Sequence, residues 1–128
     1  MFYNCTSLAS FNSDLSSLDD GTGMFYNCSR LTSFTSDLSS LTNGTEMFGT
    51  CINLTTFNAD LSSLTDGDSM FRNCIRLMNL TSDLSSLTNG SGMFYGCINL
   101  RHFDASLTSI TKATDFAEIF DTDIGQTL

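Results

Sequence analysis

The chain repeats itself every 23 residues, and this period constrains its fold more than any other feature of the sequence. The segment Met24–Cys28 reads Met-Phe-Tyr-Asn-Cys, and it has a counterpart at the same phase in each of five units. The units follow one another without insertion or deletion and begin at Met1, Met24, Met47, Met70 and Met93. Because a unit this short cannot bury an apolar face alone, the units are expected to stack as a solenoid.

Seven positions of each unit are apolar and are expected to point into the stack. They are positions 1, 2, 5, 8, 11, 15 and 18, which the second unit fills with Met24, Phe25, Cys28, Leu31, Phe34, Leu38 and Leu41. The close spacing of the first three predicts about one turn of helix, whereas Leu31, Phe34 and the small Ser36 indicate a short strand. Strands of neighbouring units then pair in parallel, about 4.8 Å apart.

Polar residues at two fixed phases punctuate each unit. Asn43-Gly44 and its counterparts predict a turn before each helical segment, with Thr22 or Thr45 as the N-cap. The aspartates that close the strand segments are expected to accept nearby backbone N–H groups in Asx turns, and they are Asp14, Asp37, Asp60 and Asp83. A mainly structural role follows, although calcium held between repeats is open as an alternative.

The fifth unit departs from the pattern after Leu107, where Lys112 and Ala113 replace the Asn-Gly turn. Residues 112–128 are therefore expected to form a degenerate cap on a solenoid that spans residues 1–111. Because residue 1 already begins a repeat and a cap is expected at the C-terminal end alone, we expect the C-terminal part of a longer array.

Charge and cysteine usage exclude several classes of function. Fourteen acidic residues against five Lys and Arg give a formal charge of −9, which disfavours nucleic acid as a partner. No apolar run approaches the roughly 18 residues of a membrane span, so no direct membrane insertion is expected. The five cysteines lie at one phase, where their side chains run parallel, so buried free thiols are expected and not disulfides.

Catalytic and cofactor motifs are missing from the sequence. There is no Cys-x-x-Cys pair for zinc, and His102 is the one histidine. Neither a Gly-x-Ser-x-Gly nucleophile elbow nor a phosphate-binding loop occurs. The sequence therefore predicts no enzyme, no cofactor and no metal centre.

The run Gly21–Phe34 resembles a BspA-type leucine-rich repeat, in which Met or a small residue, Phe, two variable residues and Cys precede Leu and another apolar residue. It is also similar to the repeats of mycoplasma surface lipoproteins. The resemblance covers residues 1 to about 111. It implies a leucine-rich-repeat-like solenoid with short parallel strands on one face and helical turns and loops on the other. It also implies a surface or secreted protein of bacteria, phages or certain unicellular eukaryotes that attaches to host proteins or other cells.

Outward positions that vary while the scaffold repeats are the candidates for binding, and they are positions 3, 7, 9, 10 and 12. Around the strands they become bulkier and more charged toward the C-terminal end. We call the resulting set the strand-face patch, and it consists of Arg76, Met78, Asn79, Arg101, His102 and Asp104. A second exposed row, the tyrosine row, is interrupted at Gly49 and consists of Tyr3, Tyr26, Arg72 and Tyr95. The alternative for the strand-face patch is an ordinary solvated surface. The alternative for the tyrosine row is that its side chains simply cover the expected helical turns.

The leading hypothesis is a non-enzymatic module of a larger extracellular or cell-surface protein, binding a protein or glycan on another cell or in the same assembly. The alternative is a structural spacer or a self-assembling fibre, as in phage-tail-like proteins that contain similar Asp-Leu-Ser-Ser-Leu phrases. In that case array ends or strand edges would stack into homo-oligomers.

Overall fold

The computed structural model describes residues 1–105, which contain one short strand in each unit. The strands are β1 (Ser10–Phe11), β2 (Ser33–Phe34), β3 (Thr56–Phe57), β4 (Asn79–Leu80) and β5 (His102–Phe103). All pairs are parallel and in register, with β1–β2 forming one sheet and β3–β4–β5 another. The predicted cap, residues 112–128, lies outside the described residues.

The strands confirm the predicted parallel pairing but are shorter than expected. Each contains two residues, and the expected continuous sheet is divided between β2 and β3. There the N–H of Thr55 lies 3.4 Å from the carbonyl oxygen of Thr32, longer than an ordinary backbone hydrogen bond. The stack therefore depends on side-chain packing and on other backbone bonds as well as on the sheets.

The predicted helical turn is wrong, because residues 1–105 contain no helix. In its place the chain makes successive tight turns, with Met24 N–H donating to Gly21 O at 2.9 Å and Cys28 N–H to Phe25 O at 3.1 Å. Alternate amides donate instead to the next unit, as Phe25 does to the carbonyl of Met47 at 2.9 Å. In each of the first four units two residues have positive φ, such as Asn27 at 58°, and they break any helical continuation.

The predicted N-caps have a different role. The hydroxyl of Thr45 donates to Oδ1 of Asn43 at 2.7 Å, and that same oxygen accepts the N–H of Thr45 at 3.0 Å. Asn43 belongs to a ladder at position 20 whose members form parallel bridges between units, and they are Asp20, Asn43, Asp66 and Asn89. Asp and Asn alternate along it, so an amide can donate to a neighbouring carboxylate, as Asn89 does to Asp66 at 3.1 Å. This alternation keeps like charges out of direct contact.

The predicted Asx turns at position 14 are confirmed. Four carboxylates each accept the N–H of the serine two residues later at 2.8 Å, and they belong to Asp14, Asp37, Asp60 and Asp83. The hydroxyl and the N–H of that serine lower the pKa of Asp14 and of Asp83 below the ordinary value of aspartate. These aspartates close the corner of each unit.

The core consists of ladders of identical side chains. In the second, third and fourth units all seven predicted apolar positions are buried. The rings at position 2 stack nearly parallel with centroids 5.4–5.6 Å apart, and they belong to Phe2, Phe25, Phe48, Phe71 and Phe94. The phenylalanines at position 11 pack edge-on against them, as Phe34 does against Phe48 at 4.8 Å. Leu80 replaces phenylalanine at this position in the fourth unit.

All five cysteines are free thiols, as the sequence predicts. Each of the last four donates its thiol to the position-2 carbonyl of the preceding unit at 3.0–3.2 Å, for example Cys51 to Phe25. Burial raises the pKa of Cys51 and of Cys97 to about 12, and that of Cys74 well above its ordinary value. A neutral thiol that donates a hydrogen bond to a backbone carbonyl explains why each unit has one cysteine at this position.

Position 13 offers a matched pair of serines for a stability test. The hydroxyl of Ser82 donates to the carbonyl of Ala59 at 2.6 Å, whereas that of Ser36 is buried with no hydrogen-bond partner in the described part of the chain. Alanine already fills this position in the third unit, as Ala59. Urea denaturation should show Ser36→Ala raising the free energy of unfolding by up to about 1 kcal/mol and Ser82→Ala lowering it by about 1 kcal/mol. Equal losses in both variants would contradict this difference.

Candidate binding surfaces

Position 9 shows how the strand-face patch differs from the rest of the strand surface. In the second and third units this position is a threonine whose hydroxyl turns back onto the scaffold, Thr32 to Ala9 O and Thr55 to Thr32 O, both at 3.4 Å. In the fourth and fifth units Met78 and Arg101 take the position, and both are exposed. The outward side chain thus changes from one held by the backbone to one that extends into solvent.

Position 7 alternates between an exposed arginine, as in the second and fourth units, and an asparagine bound to the backbone, as in the third and fifth. Asn99 donates its side-chain amide to the carbonyl of Ile75 at 2.6 Å, as Asn53 does to Ser29. Arg76 takes this position in the fourth unit and is exposed. Arg76 and Met78, with Thr55 and Asn99, line an open depression of about 360 Å³.

The pairing of β4 with β5 brings most of the patch together. Asn79 lies directly opposite His102, and the amides of Arg101 and His102 both donate to the carbonyl of Met78, at 3.0 and 2.9 Å. Asp104 lies two residues beyond His102, and its N–H donates to Leu80 O at 2.9 Å. Asn79 is half-buried and the other members of the patch are exposed.

An apolar row beside the patch was not among the predicted positions. At position 6, Ile75 is 39% and Ile98 53% exposed, and Ile52 is half-buried. Thr6 and Ser29 take this position in the first two units. The change from hydroxyl to isoleucine was the available signal, and it runs in the same direction as the change toward larger side chains on the strands.

The tyrosine row is packed as two pairs on either side of Gly49. Tyr3 and Tyr26 stack with ring centroids 4.9 Å apart, and the guanidinium of Arg72 lies 4.8 Å from the ring centroid of Tyr95. A Cβ placed on Gly49 would lie 2.8 Å from the ring of Tyr26, so this ring leans over the glycine. The row covers tight turns, not the helical turns expected from sequence.

A cleft of about 350 Å³ opens where the row is interrupted. Its lining residues come from the second, third and fourth units, and they are Tyr26, Glu46, Thr50, Ser69, Arg72 and Asn73. Four of them have left-handed backbone without being glycine, with φ of 55° at Glu46, 60° at Thr50, 56° at Ser69 and 61° at Asn73. Such backbone is uncommon outside glycine and asparagine, and it marks this cleft as unusual.

Thr50 allows a direct test of this backbone geometry. It is β-branched at a φ of 60°, where Asn4, Asn27 and Asn73 hold the same position in other units. Thr50→Asn should raise the free energy of unfolding by about 1 kcal/mol, since asparagine tolerates the left-handed region far better. Urea denaturation measures the gain, and Thr35→Asn, on the exposed strand surface, is the control that should show none. A loss at position 50 would contradict the assigned conformation.

Neither metal sites nor membrane spans are found in the described part of the chain. Residues 1–105 contain no group of three or more His, Cys, Asp or Glu side chains arranged to hold a metal ion. The aspartates at position 14 are thus not gathered into a calcium site. The same residues include no helix with the length and apolarity needed to cross a membrane.

Comparison with known families identifies the repeat. The model of the BspA-type leucine-rich repeat region matches residues 1–118 in six copies, where the 23-residue period counts five units. The chain belongs to the BspA-type leucine-rich repeat family. BspA-type repeats are generally surface or binding modules, and they are typically non-enzymatic. No curated protein and no solved structure matches the chain.

Proposed function

We propose that this BspA-type array is a non-enzymatic extracellular or cell-surface module that binds a partner protein through the strand-face patch. One observation carries the proposal. The interior positions stay apolar and almost unchanged along the array, whereas the outward positions around the strands change from small residues to Met78, Arg101 and His102. Such outward changes are not required by the stack.

The chemistry of the patch favours a protein that presents carboxylates beside an apolar side chain. Guanidinium groups of Arg76 and Arg101 suit carboxylates, because their planar donors can bind both oxygens. Met78 and the neighbouring Ile75 supply exposed apolar contact area, as in the centres of protein interfaces. The chain has a formal charge of −9, so these arginines would direct an acidic partner to this end of the array.

The test is a microarray of purified extracellular-matrix proteins and glycans that is probed with the labelled chain. We expect binding to one or more acidic proteins, weakened about tenfold or more by Arg101→Thr. Arg30→Thr is the matched control, because Arg30 is equally exposed but lies in the second unit, away from the patch. Binding to glycans alone, or equal loss in the two variants, would contradict a protein-binding patch.

Sedimentation velocity at several concentrations separates this proposal from the structural alternative. A binding module should sediment as one species at every concentration. A spacer or self-assembling fibre should form larger species as the concentration rises, because unpaired strand edges and array ends can stack. Polymers that grow as the concentration rises, together with no binding on the microarray, would favour the fibre.

A further inference from the structure

The cleft beside Gly49 is the place where departures from the repeat gather. Position 3 is tyrosine in the first, second and fifth units but glycine at Gly49. Position 4 is asparagine in the first, second and fourth units but threonine at Thr50, and position 23 changes from glycine to Glu46 and Ser69 in the second and third units. The stack does not require these exceptions, yet all of them surround one cleft.

The walls of the cleft are an aromatic ring and a guanidinium group. Neighbouring members of the tyrosine row lie 4.9 Å apart at Tyr3–Tyr26 and 4.8 Å apart at Arg72–Tyr95. Gly49 has no side chain between Tyr26 and Arg72, so the row is interrupted at the cleft. The ring of Tyr26 lies close to Gly49, where an added Cβ would be 2.8 Å from it, and it is one of the residues that line the cleft.

The rim of the cleft carries hydrogen-bonding groups that the scaffold does not use. Within residues 1–105 the side chains of Glu46, Thr50 and Asn73 make no hydrogen bond. By contrast, Asn27, at the same position as Asn73, donates to Asn4 at 3.0 Å. The rim thus offers a carboxylate acceptor, a hydroxyl, an amide and, from Arg72, guanidinium donors.

We propose that this cleft binds one neutral hexose unit of a glycan. A hexose has an apolar C–H face that fits an aromatic ring, and its hydroxyls both donate to a carboxylate and accept from a guanidinium. The volume of about 350 Å³ lies at the lower end of the range of small-ligand pockets, about 300–1,000 Å³. One carboxylate beside one guanidinium leaves no net charge, which favours a neutral sugar over an anionic one.

Titration by two-dimensional ¹H–¹⁵N NMR tests the site with the methyl glycosides of glucose, galactose and mannose. At least one should shift the amides of residues 46–50 and 69–73 with a millimolar Kd, and leave those of the strand-face patch in place. N-acetyltyrosinamide is the competing probe for an aromatic side chain of a partner protein. No shift with any glycoside at about 100 mM, or shifts with N-acetyltyrosinamide alone, would overturn the proposal.

Variants make the test specific to the cleft. Gly49→Tyr restores the residue of the first two units and places a side chain where the ring of Tyr26 now lies, so it should displace that ring and abolish the shifts. Arg72→Gln should weaken binding about fivefold or more, whereas Arg30→Gln in the second unit should not change it. Unaltered binding in both cleft variants would overturn the assignment, and Arg72→Gln decides alone if Gly49→Tyr does not fold.

The hexose site and the strand-face patch can fail independently. The cleft lies on the turn segment of the units, and none of its lining residues belongs to the patch. Gly49→Tyr should therefore leave protein binding on the microarray unchanged, and Arg101→Thr should leave the glycoside shifts unchanged.

Discussion

Replacing Phe48 with alanine is expected to lower the free energy of unfolding by about 3–5 kcal/mol. The Phe48 side chain is 0% exposed and stacks on Phe25 at 5.5 Å and on Phe71 at 5.6 Å. Phe34 and Phe57 pack edge-on against it at 4.8 and 5.2 Å. The loss is a large share of the total stability of an ordinary domain, about 5–15 kcal/mol, and urea denaturation followed by circular dichroism measures it.

Phe57→Leu is the control for this prediction. The equivalent position in the fourth unit is already a fully buried leucine, Leu80, so the stack accepts that side chain. We expect a cost below about 1.5 kcal/mol. If Phe48→Ala cost no more than Phe57→Leu, the two phenylalanine ladders would not be the close-packed core described above.

Alkaline pH is expected to destabilise the chain through its buried thiols. Burial raises the pKa of Cys51 and of Cys97 to about 12 and that of Cys74 well above the ordinary 9.0. Above pH 9 the unfolded chain releases thiol protons that the folded chain keeps, so the free energy of unfolding falls as pH rises. Each thiol contributes about 1.4 kcal/mol per pH unit in this range, or about 3–4 kcal/mol for the three at pH 10.

Urea midpoints at pH 8, 9 and 10 measure this loss. The three thiols should contribute little to the pH dependence below about pH 8, since they are largely protonated in both states there. Cys74→Ala should remove up to about a third of the loss between pH 9 and 10, because it removes one linked thiol and leaves Cys28, Cys51 and Cys97, whose pKa values are also raised. A loss that is the same with and without Cys74 would show that other groups cause it.

Much of the fold is predictable from the sequence because the same residue types recur at the same positions of each unit. Identical apolar positions such as Phe25 and Phe48 must lie above one another, and an aspartate followed by Leu-Ser-Ser, as at Asp14, favours an Asx turn by local chemistry alone. The helix prediction was wrong because left-handed backbone at Glu46 and Thr50 leaves no mark in the residue type. The spacing of Met, Phe and Cys fits successive turns as well as one helical turn.

The candidate surfaces were only partly predictable. Exposure of His102 follows from its place on β5, whose next residue, Phe103, packs against the core. Met78 and Arg101 lie one residue before β4 and β5, and their polar counterparts in other units indicated an outward position. Ile75 and Ile98 did not stand out, because isoleucine at an unassigned position suggests core. The cleft depends on side chains from three units and on the ring of Tyr26 leaning over Gly49, and such a relation between units needs coordinates.

If binding depends on the strand-face residues that do not repeat, a regularised variant without them should not bind the partner. Its strand-face residues are replaced by those at the same positions of the second unit, as Met78→Thr, Asn79→Ser, Arg101→Thr, His102→Ser and Asp104→Thr. Because these positions are outward, its free energy of unfolding should stay within about 0.5 kcal/mol per substitution. The measurement is the affinity of the parent and regularised chains for the partner protein that the parent binds on the microarray. We expect the regularised chain to lose binding while it keeps the fold, and equal affinity of the two folded chains would show that the strand-face residues do not bind the partner.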